Sequence, residues 1–346
     1  MAVRLGSIGQ NCRGNWGAVV FQDLHVFDFH AHFPIKGDVT QGGGPRSRET
    51  GVIESEAALA RIKHREDALA RTRHQWRQAF DFPEPEREPR SSEEQAARWI
   101  AELDKYGIEK IGWVTGRDND EISRVAQMYP DRFVGWAHHN IELPGAAEEL
   151  ERAVKELGLK GLKMFAPKTE RPLHDRSLYP VWEVCERLGI PVLIHFGMMG
   201  AAGGISYHQN MIPDVLEPVA RDFPTVDFII PHFGIQGVKE LLFLCWSCPN
   251  VSVDTSGSNQ WVRWMPYPLT LDDLFRKFYE TIGPERIIFG SDSSWFPRGF
   301  AYRYLQDQVR ICRFMNMRHD ELHMIFGGIA ARIMGVSLGD GQIGVS

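Results

Sequence analysis

Eight short runs of apolar and β-branched residues recur along the chain, separated by longer segments with helical spacing. The runs are LHVFDF (24–29), KIGWVT (110–115), FVGWA (133–137), GLKMF (161–165), PVLIHF (191–196), VDFIIP (226–231), VSVDT (251–255) and RIIFGS (286–291). Runs that are apolar on both faces are typical of parallel strands covered by helices. Eight strand–helix units in series favour a closed α/β barrel, the (β/α)8 TIM barrel, over an open sheet. The 346 residues fit one such domain, spanning 1–346.

Helical patterns fill the segments between these runs, at 145–157, 178–188, 212–223, 237–245 and 271–282. The segment after the first strand, 38–98, interrupts the regular alternation of strands and helices. Its two ends are rich in Gly, Pro and charge and are predicted as loops, while 54–79 between them is charged and helical. Because the loops after barrel strands line the catalytic face, we expect this long helical insertion to be a cap or a subunit-interface element. The alternative is a surface helix with no role.

Charge and hydropathy exclude two classes of partner. The net charge is −6 and the sequence pI is about 6.1, whereas nucleic-acid binding calls for a basic face. No stretch of about 18 apolar residues suggests a membrane span, and the first residues contain no apolar core typical of a secretory signal. The sequence therefore predicts no nucleic-acid partner, no membrane partner and a cytoplasmic location.

A pair of histidines two residues apart, His30 and His32, ends the first predicted strand. Side chains two apart on a strand point to the same face, so both imidazoles should project together. A single histidine on a strand is more often a core or surface residue than a ligand. Here, however, His195 ends the fifth strand, and His232 and Asp292 follow the sixth and eighth. Polar residues at the carboxyl ends of barrel strands are typical of a catalytic site.

Imidazoles together with a carboxylate are typical metal ligands. Three imidazoles and one carboxylate suit zinc with an open position for water, and manganese or iron accept the same ligands. A bound metal lowers the pKa of its water and polarises a substrate oxygen. His232 then suits a general acid/base beside that water, or else a further ligand. The sequence thus predicts one divalent metal ion as cofactor.

Several motifs together resemble the amidohydrolase superfamily, in the branch of aminocarboxymuconate-semialdehyde decarboxylase and many metal-dependent hydrolases. They are FDFHAHF, GLKMF, PVLIHFG, IIPHFG, VSVDTSG and IIFGSDSSW. The resemblance implies one metal held by His30, His32, His195 and Asp292, with His232 orienting or deprotonating the metal water. It also implies a homodimer. The chain departs from the pattern at Ile329, where family members usually carry Asn, and in its long segment after the first strand.

Residues around the predicted mouth could contact a small carboxylic acid substrate. Related decarboxylases place an arginine on the substrate carboxylate in the loop after the first strand, and a fork-shaped guanidinium suits that task. Lys163 occupies the position where part of the superfamily carries a carboxylated lysine between two metals; here we interpret it as structural or substrate-directed. The candidates for substrate contact are Arg46, Arg48, His139, Lys163, His208, Trp295 and Arg298.

Two reactions fit the predicted metal ligands and His232 equally well. In hydrolysis, activated water attacks a lactone, ester or amide, with His232 relaying the proton and Asp292 steering the water. In non-oxidative decarboxylation of an aromatic or unsaturated acid, the same groups serve protonation of the carbon that loses carbon dioxide. A buried arginine facing the substrate would favour decarboxylation, and an open site without one would favour hydrolysis. The glycine-rich HFG loops favour the hydrolase, and an inactive scaffold barrel is the remaining alternative.

Overall fold

The structure is a computed structural model that describes residues 23–35, 55–87, 90–200 and 204–339. Arg46 and Arg48, two of the predicted substrate contacts, lie outside the described residues. No helix in the described ranges is both long and apolar enough to cross a membrane.

Eight parallel strands form the centre of the fold, and each overlaps one of the predicted runs. They are β1 (Val26–His32), β2 (Ile108–Thr115), β3 (Phe133–Gly135), β4 (Leu162–Phe165), β5 (Val192–His195), β6 (Phe228–Ile230), β7 (Val251–Asp254) and β8 (Ile287–Ile288). Neighbours pair in chain order within two sheets, β1 to β3 and β4 to β8. The bridges Ala137–Leu162 and Ala31–Ser293 join the sheets at both seams. The predicted (β/α)8 barrel is therefore confirmed.

The α-helices of the described residues lie between and after the strands in the chain. They are α1 (Glu56–Ala79), α2 (Ser92–Tyr106), α3 (Asn119–Met128), α4 (Ala146–Lys155), α5 (Tyr179–Leu188), α6 (Glu217–Asp222), α7 (Val238–Ser247), α8 (Ser258–Trp261), α9 (Leu271–Ile282), α10 (Tyr302–Phe314), α11 (His319–His323) and α12 (Ile329–Met334). The predicted helices at 54–79 and 271–282 correspond to α1 and α9. The predicted helix at 212–223 is a 3₁₀ turn, Pro213–Leu216, followed by α6.

Helix α2 covers the barrel between β1 and β2, so the predicted insertion 38–98 overlaps a regular element of the barrel. Ser91 and Glu94 form a reciprocal capping box at its start, and Gly107 ends it in the left-handed conformation. Its buried face carries Trp99, which packs against Trp113 and Phe296 with ring centroids 5.0 and 5.1 Å away. In contrast, α1 buries no residue.

Side chains alternate between the two faces of each strand, so those that point into the barrel and those that point outward form two separate buried clusters. Leu193 of β5 and Ile229 of β6 belong to the inner cluster, whereas their strand neighbours contact the covering helices. Phe27 and Phe29 of β1 join this inner cluster, and residues of α12 close it at one end. The interior is therefore a packed core beneath the carboxyl ends of the strands, where polar side chains begin.

Removal of the Trp99 side chain should destabilise the barrel. The ring is fully buried between two other aromatic side chains, so Trp99→Ala leaves a large cavity and should cost about 3–5 kcal/mol of unfolding free energy. Trp246→Ala is the matched control, because 71% of that residue is exposed, and we expect a change within about 0.5 kcal/mol. Urea unfolding of both variants measures the difference, and similar losses would contradict this packing.

Candidate metal centre

His30, His32 and Asp292 bring their ligand atoms together at the mouth of the barrel. Each offers one nitrogen or oxygen, and the three atoms lie within 4.8 Å of one another. The two histidines end β1, and Asp292 follows β8. The backbone N–H of Asp292 donates to the carbonyl of His30 at 2.9 Å, so the hydrogen bonds that close the barrel also set the ligands side by side.

An irregularity in β1 turns the histidines towards the mouth. Between Asp28 and Ala31, three steps along β1 oppose only two along β2, from Ile111 to Trp113. Because of this extra residue, two adjacent side chains of β1 both point into the barrel. Phe29 packs in the inner cluster, and His30 lines the cavity. Bulges commonly re-aim side chains next to active sites.

Unusual backbone conformations position the other two polar groups. His232 and Asp292 have positive φ angles of 60° and 58°, which residues with a Cβ rarely adopt. Gly257 lies against both, since a Cβ there would sit 3.0 Å from Asp292 Oδ2 and 3.4 Å from His232 Nδ1. Such conformations persist only where the surroundings enforce them, and they cluster at functional sites.

Asp254 fixes the tautomer of His30. His30 Nδ1 lies 2.6 Å from Asp254 Oδ2, and both side chains are fully buried. Because burial raises the pKa of Asp254 but the contact with His30 outweighs it, the carboxyl pKa lies below its usual value. Burial lowers the pKa of His30 to about 4, so the ring is neutral and Nδ1 holds its one proton. His30 Nε2 then carries a lone pair, and it has no hydrogen-bond partner within the described structure.

His32 and Asp292 complete the group of three. His32 Nδ1 lies 2.7 Å from the Thr115 hydroxyl, and its Nε2 lies 3.2 Å from Asp292 Oδ1. Burial alone would raise the pKa of Asp292, but the hydrogen bond from His32 and the charges of nearby imidazoles lower it below its usual value. Asp292 is therefore an ionised carboxylate. Two imidazoles and a carboxylate of this kind fit a divalent metal, and the lone pair on His30 Nε2 is otherwise unused.

His195 lies in the wall of the same cavity but outside that group of three. Its Nε2 lies 3.2 Å from the carbonyl oxygen of Met198, and its ring centroid is 5.1 Å from that of His232. Burial lowers the pKa of His195 well below its usual value, so the ring is neutral. With Nε2 donating to the carbonyl, Nδ1 holds the lone pair. A role for His195 as a ligand stays a prediction.

His232 stands beside the ligand group. Its Nδ1 lies 2.7 Å from the carbonyl oxygen of Ser256, and its ring centroid is 5.3 Å from that of His30. Because the carbonyl only accepts, Nδ1 donates and Nε2 is left to take a proton in the neutral ring. This arrangement suits the proton transfer that the sequence predicted for His232.

The buried carboxyl group of Asp28, in β1, links the first strand to the segment that follows the last strand. Asp28 Oδ1 accepts the backbone N–H of Ser291 at 2.8 Å, and the Ser291 hydroxyl contacts Oδ2. Burial raises the pKa of Asp28 to about 7, although these hydrogen bonds oppose the change. The contact holds the residue preceding Asp292 against the strand that carries both histidines.

A cavity of about 450 Å³ opens over these groups. Two of the predicted substrate contacts, Lys163 and Trp295, lie in its wall. Lys163 is almost completely buried and its Nζ has no hydrogen-bond partner among the described residues. Burial lowers the pKa of Lys163 to about 8.

Three other predicted contacts lie elsewhere. Arg298 is half-buried, stacks on Trp295 with its guanidinium carbon 3.7 Å from a ring centroid, and donates to the Asp292 carbonyl at 2.8 Å. His139 lines a neighbouring cavity instead. His208 lies outside both walls and accepts the backbone N–H of Asn210 at 3.1 Å.

The segment after α1 supplies wall residues that sequence reasoning missed. Pro85, Glu86 and Arg87 line the cavity, and Glu86 is held by Arg98 through two hydrogen bonds of 2.6 and 2.9 Å. The signal available in the sequence was the oversized loop on the catalytic face. It indicated a cap but could not show which of its residues reach the mouth.

Comparison with known proteins identifies the family. A family model described as amidohydrolase matches residues 27–336, so the chain belongs to the amidohydrolase family. The predicted resemblance to this superfamily, in its aminocarboxymuconate-semialdehyde decarboxylase-like branch, is confirmed, and the chain is an enzyme of that superfamily.

Two relatives carry names of different reactions. A 2-keto-4-carboxy-3-hexenedioate hydratase from Sphingobium sp. is 27% identical over 249 residues, which cover 62% of this chain and 69% of the relative. A 2-amino-3-carboxymuconate-6-semialdehyde decarboxylase from Dictyostelium discoideum is 37% identical over 78 residues, and this match spans only 22% of either protein.

Solved structures share the barrel. An uncharacterised TIM-barrel protein from Bordetella bronchiseptica has a TM-score of 0.60 at 22% identity, covering 90% of this chain and 99% of that one. A probable 2-pyrone-4,6-dicarboxylic acid hydrolase from Acinetobacter baumannii, with citric acid bound, has a TM-score of 0.55 at 16% identity, covering 90% and 100%. A 5-carboxyvanillate decarboxylase from Novosphingobium aromaticivorans, with bound manganese, has a TM-score of 0.53 at 18% identity, covering 69% and 80%.

Loss of the Asp254 carboxylate should weaken metal binding. Asp254→Asn keeps the size of the side chain, but its amide no longer enforces the tautomer of His30, and metal affinity should fall about 10–100-fold. Competition with a chromophoric chelator measures the affinity, and circular dichroism checks the fold. Asp104→Asn, at an exposed side chain paired with Arg132, is the matched control and should bind metal normally. Unchanged affinity in Asp254→Asn would contradict the role given to this contact.

Proposed function

We propose that the protein is a metal-dependent hydrolase that uses activated water on a lactone, ester or amide of a small carboxylic acid. The observation that carries the proposal is the unpaired, buried Nε2 of His30, which lies beside the ionised Asp292 and beside His32 in the wall of one cavity. A buried nitrogen without a partner is costly unless a ligand satisfies it.

His30, His32 and Asp292 would hold the ion, and His195 would join them through Nδ1. We propose zinc, with manganese or iron as alternatives for the same donors. When bound, the ion supplies Lewis acidity and a water of lowered pKa. These residues fix its place because their second nitrogens are already engaged by Asp254, Thr115 and the Met198 carbonyl.

His232 is the proposed general acid and base. Its Nδ1 donates to the Ser256 carbonyl, so its Nε2 can accept the proton of the attacking water and return it to the leaving group. Asp292, anchored by the backbone of His30, accepts a hydrogen bond that steers the water. Both side chains sit on strained backbone, which limits their movement during the reaction.

The position of the arginines favours hydrolysis over decarboxylation. Arg87 is the single arginine among the described residues of the cavity wall, and it is exposed at the rim. Arg298 is half-buried, donates through Nη2 to the Asp292 carbonyl and stacks on the Trp295 ring. A buried arginine aimed at the substrate carboxylate, which decarboxylation would favour, is therefore lacking in the part of the wall that is described.

Decarboxylation of an aromatic or unsaturated acid is the second candidate. It is supported by the relative named as a carboxymuconate-semialdehyde decarboxylase, which is 37% identical over its short match. We further propose that the segment 38–98 caps the site, because its residues 85–87 reach the cavity wall. A homodimer and a cytoplasmic location complete the proposal, on the basis of the family resemblance and the sequence.

A product screen separates these reactions. Zinc- or manganese-loaded enzyme is incubated with 2-pyrone-4,6-dicarboxylate and other lactones, and separately with 5-carboxyvanillate and muconic acids. Hydrolysis releases acid without carbon dioxide, whereas decarboxylation releases carbon dioxide. Carbon dioxide release without lactone opening would replace our proposal with the second candidate. Turnover of neither class would remove both.

Replacement of His232 should abolish most of the turnover without releasing the metal. His232→Asn removes the nitrogen that moves the proton, so kcat should fall about 10²–10⁴-fold for the best substrate of the screen. His208→Asn is the control, because His208 lies outside the cavity wall, and it should retain activity. Steady-state kinetics with metal analysis tests this. Loss of metal together with activity would make His232 a ligand instead.

A further inference from the structure

A second cavity, of about 510 Å³, lies beside the first over the ends of β2, β3 and β4. Its wall includes Asn119, His139, Asn140 and Thr169, and it shares Lys163 and Phe165 with the metal cavity. These two side chains therefore stand at the junction between the two spaces. The predicted metal ligands and His232 belong to the first cavity only.

The acidic side chains of the second cavity already have cationic partners. Asp118 pairs with Arg117 at 3.0 Å, and Asp120 and Glu149 both pair with Arg152 at 2.8 Å. A ligand would therefore find few carboxylates without a cationic partner in this cavity. An unmet donor is present instead: Lys163 Nζ is buried and has no hydrogen-bond partner among the described residues.

A second ammonium group marks the route from solvent. Lys163 Nζ lies 5.0 Å from the centroid of the Phe165 ring, and Lys168 Nζ lies 5.1 Å from the same centroid. Lys163 is buried and Lys168 is exposed. Two cations on one aromatic side chain, one at the surface and one inside, attract an anion into the cavity.

We propose that the second cavity is a subsite for a carboxylate-bearing arm of the substrate, with Lys163 as the residue that binds this carboxylate. The substrate class is then a dicarboxylic acid that spans both cavities. One end meets His232 and the metal ligands, and the other end reaches past Phe165. The inference deepens the proposed function and rests on it, since it takes a small carboxylic acid as substrate. A buried ammonium gains a charge-assisted hydrogen bond from such an arm.

Calorimetric titration of the metal-loaded enzyme tests the subsite without turnover. The probes are trans,trans-muconate and sorbate, which share a six-carbon diene chain and differ by one carboxylate. Wild type should bind muconate at least tenfold more tightly than sorbate. Lys163→Met should remove that preference, whereas Lys160→Met, at an exposed lysine two residues before β4, should keep it.

A third variant locates the arm. Asn140 is exposed in the wall of the second cavity, so Asn140→Trp narrows this cavity and leaves the metal cavity unchanged. The variant should bind muconate at least fivefold more weakly than wild type and should bind sorbate with unchanged affinity. Unchanged muconate binding in Asn140→Trp would overturn the placement in this cavity. Equal or undetectable binding of both acids by wild type, or an intact preference in Lys163→Met, would overturn the role of Lys163.

Metal analysis and the product screen keep the remaining explanations apart. If Lys163→Met lowers the bound metal, the lysine is a metal-site residue and the subsite proposal fails. If the preference for muconate depends on Lys163 but no lactone, ester or amide is hydrolysed, the subsite stands and the hydrolase proposal fails. Circular dichroism of Lys163→Met checks that the apolar replacement leaves the barrel folded.

Discussion

Closure of the barrel between its first and last strands is the constraint on which the candidate site depends. The backbone of Phe29 donates to Phe289, that of Asp292 to His30, and that of His32 to Ser293. These bonds join segments from opposite ends of the chain and set the carboxylate beside two imidazoles. If the seam opened, the group of three would lose its geometry even with each side chain intact, because its carboxylate and its two imidazoles lie on opposite sides of the seam.

Burial then decides the charge of each group. A charge in a dry interior is unfavourable unless it is paired, so the buried rings of His30 and His195 are neutral and the carboxylates are held by donors. Asp254 is held by His30 and Asp292 by His32, and both have lowered pKa values. Asp28 has only neutral donors, and its pKa is raised to about 7. Pairing with imidazole, rather than burial alone, therefore separates the two ionised carboxylates from Asp28, whose pKa is raised.

The sequence predicted the strands, because they follow from local pattern. Strand periodicity placed all eight strands, and the H-x-H pair with Asp292 converged as expected. The irregularity in β1 escaped prediction, since strict alternation would put Phe29 and His30 on opposite faces. The Met198 carbonyl beside His195 and the wall residues 85–87 also escaped, because such contacts depend on loop paths that no periodicity encodes.

The predicted metal ligands and the proposed substrate contacts come from different parts of the barrel. β1 and the residues after β8 supply the group of three, whereas β4 and the segment after α1 supply Lys163 and the rim. Hydratases, decarboxylases and hydrolases are named among the relatives and structural neighbours of this chain. A barrel keeps its strands while its loops vary, so one ligand set can serve several reactions. We infer that the substrate is selected where its carboxylates are held, and we propose the ammonium of Lys163, which is buried without a hydrogen-bond partner among the described residues, as the group that holds one of them.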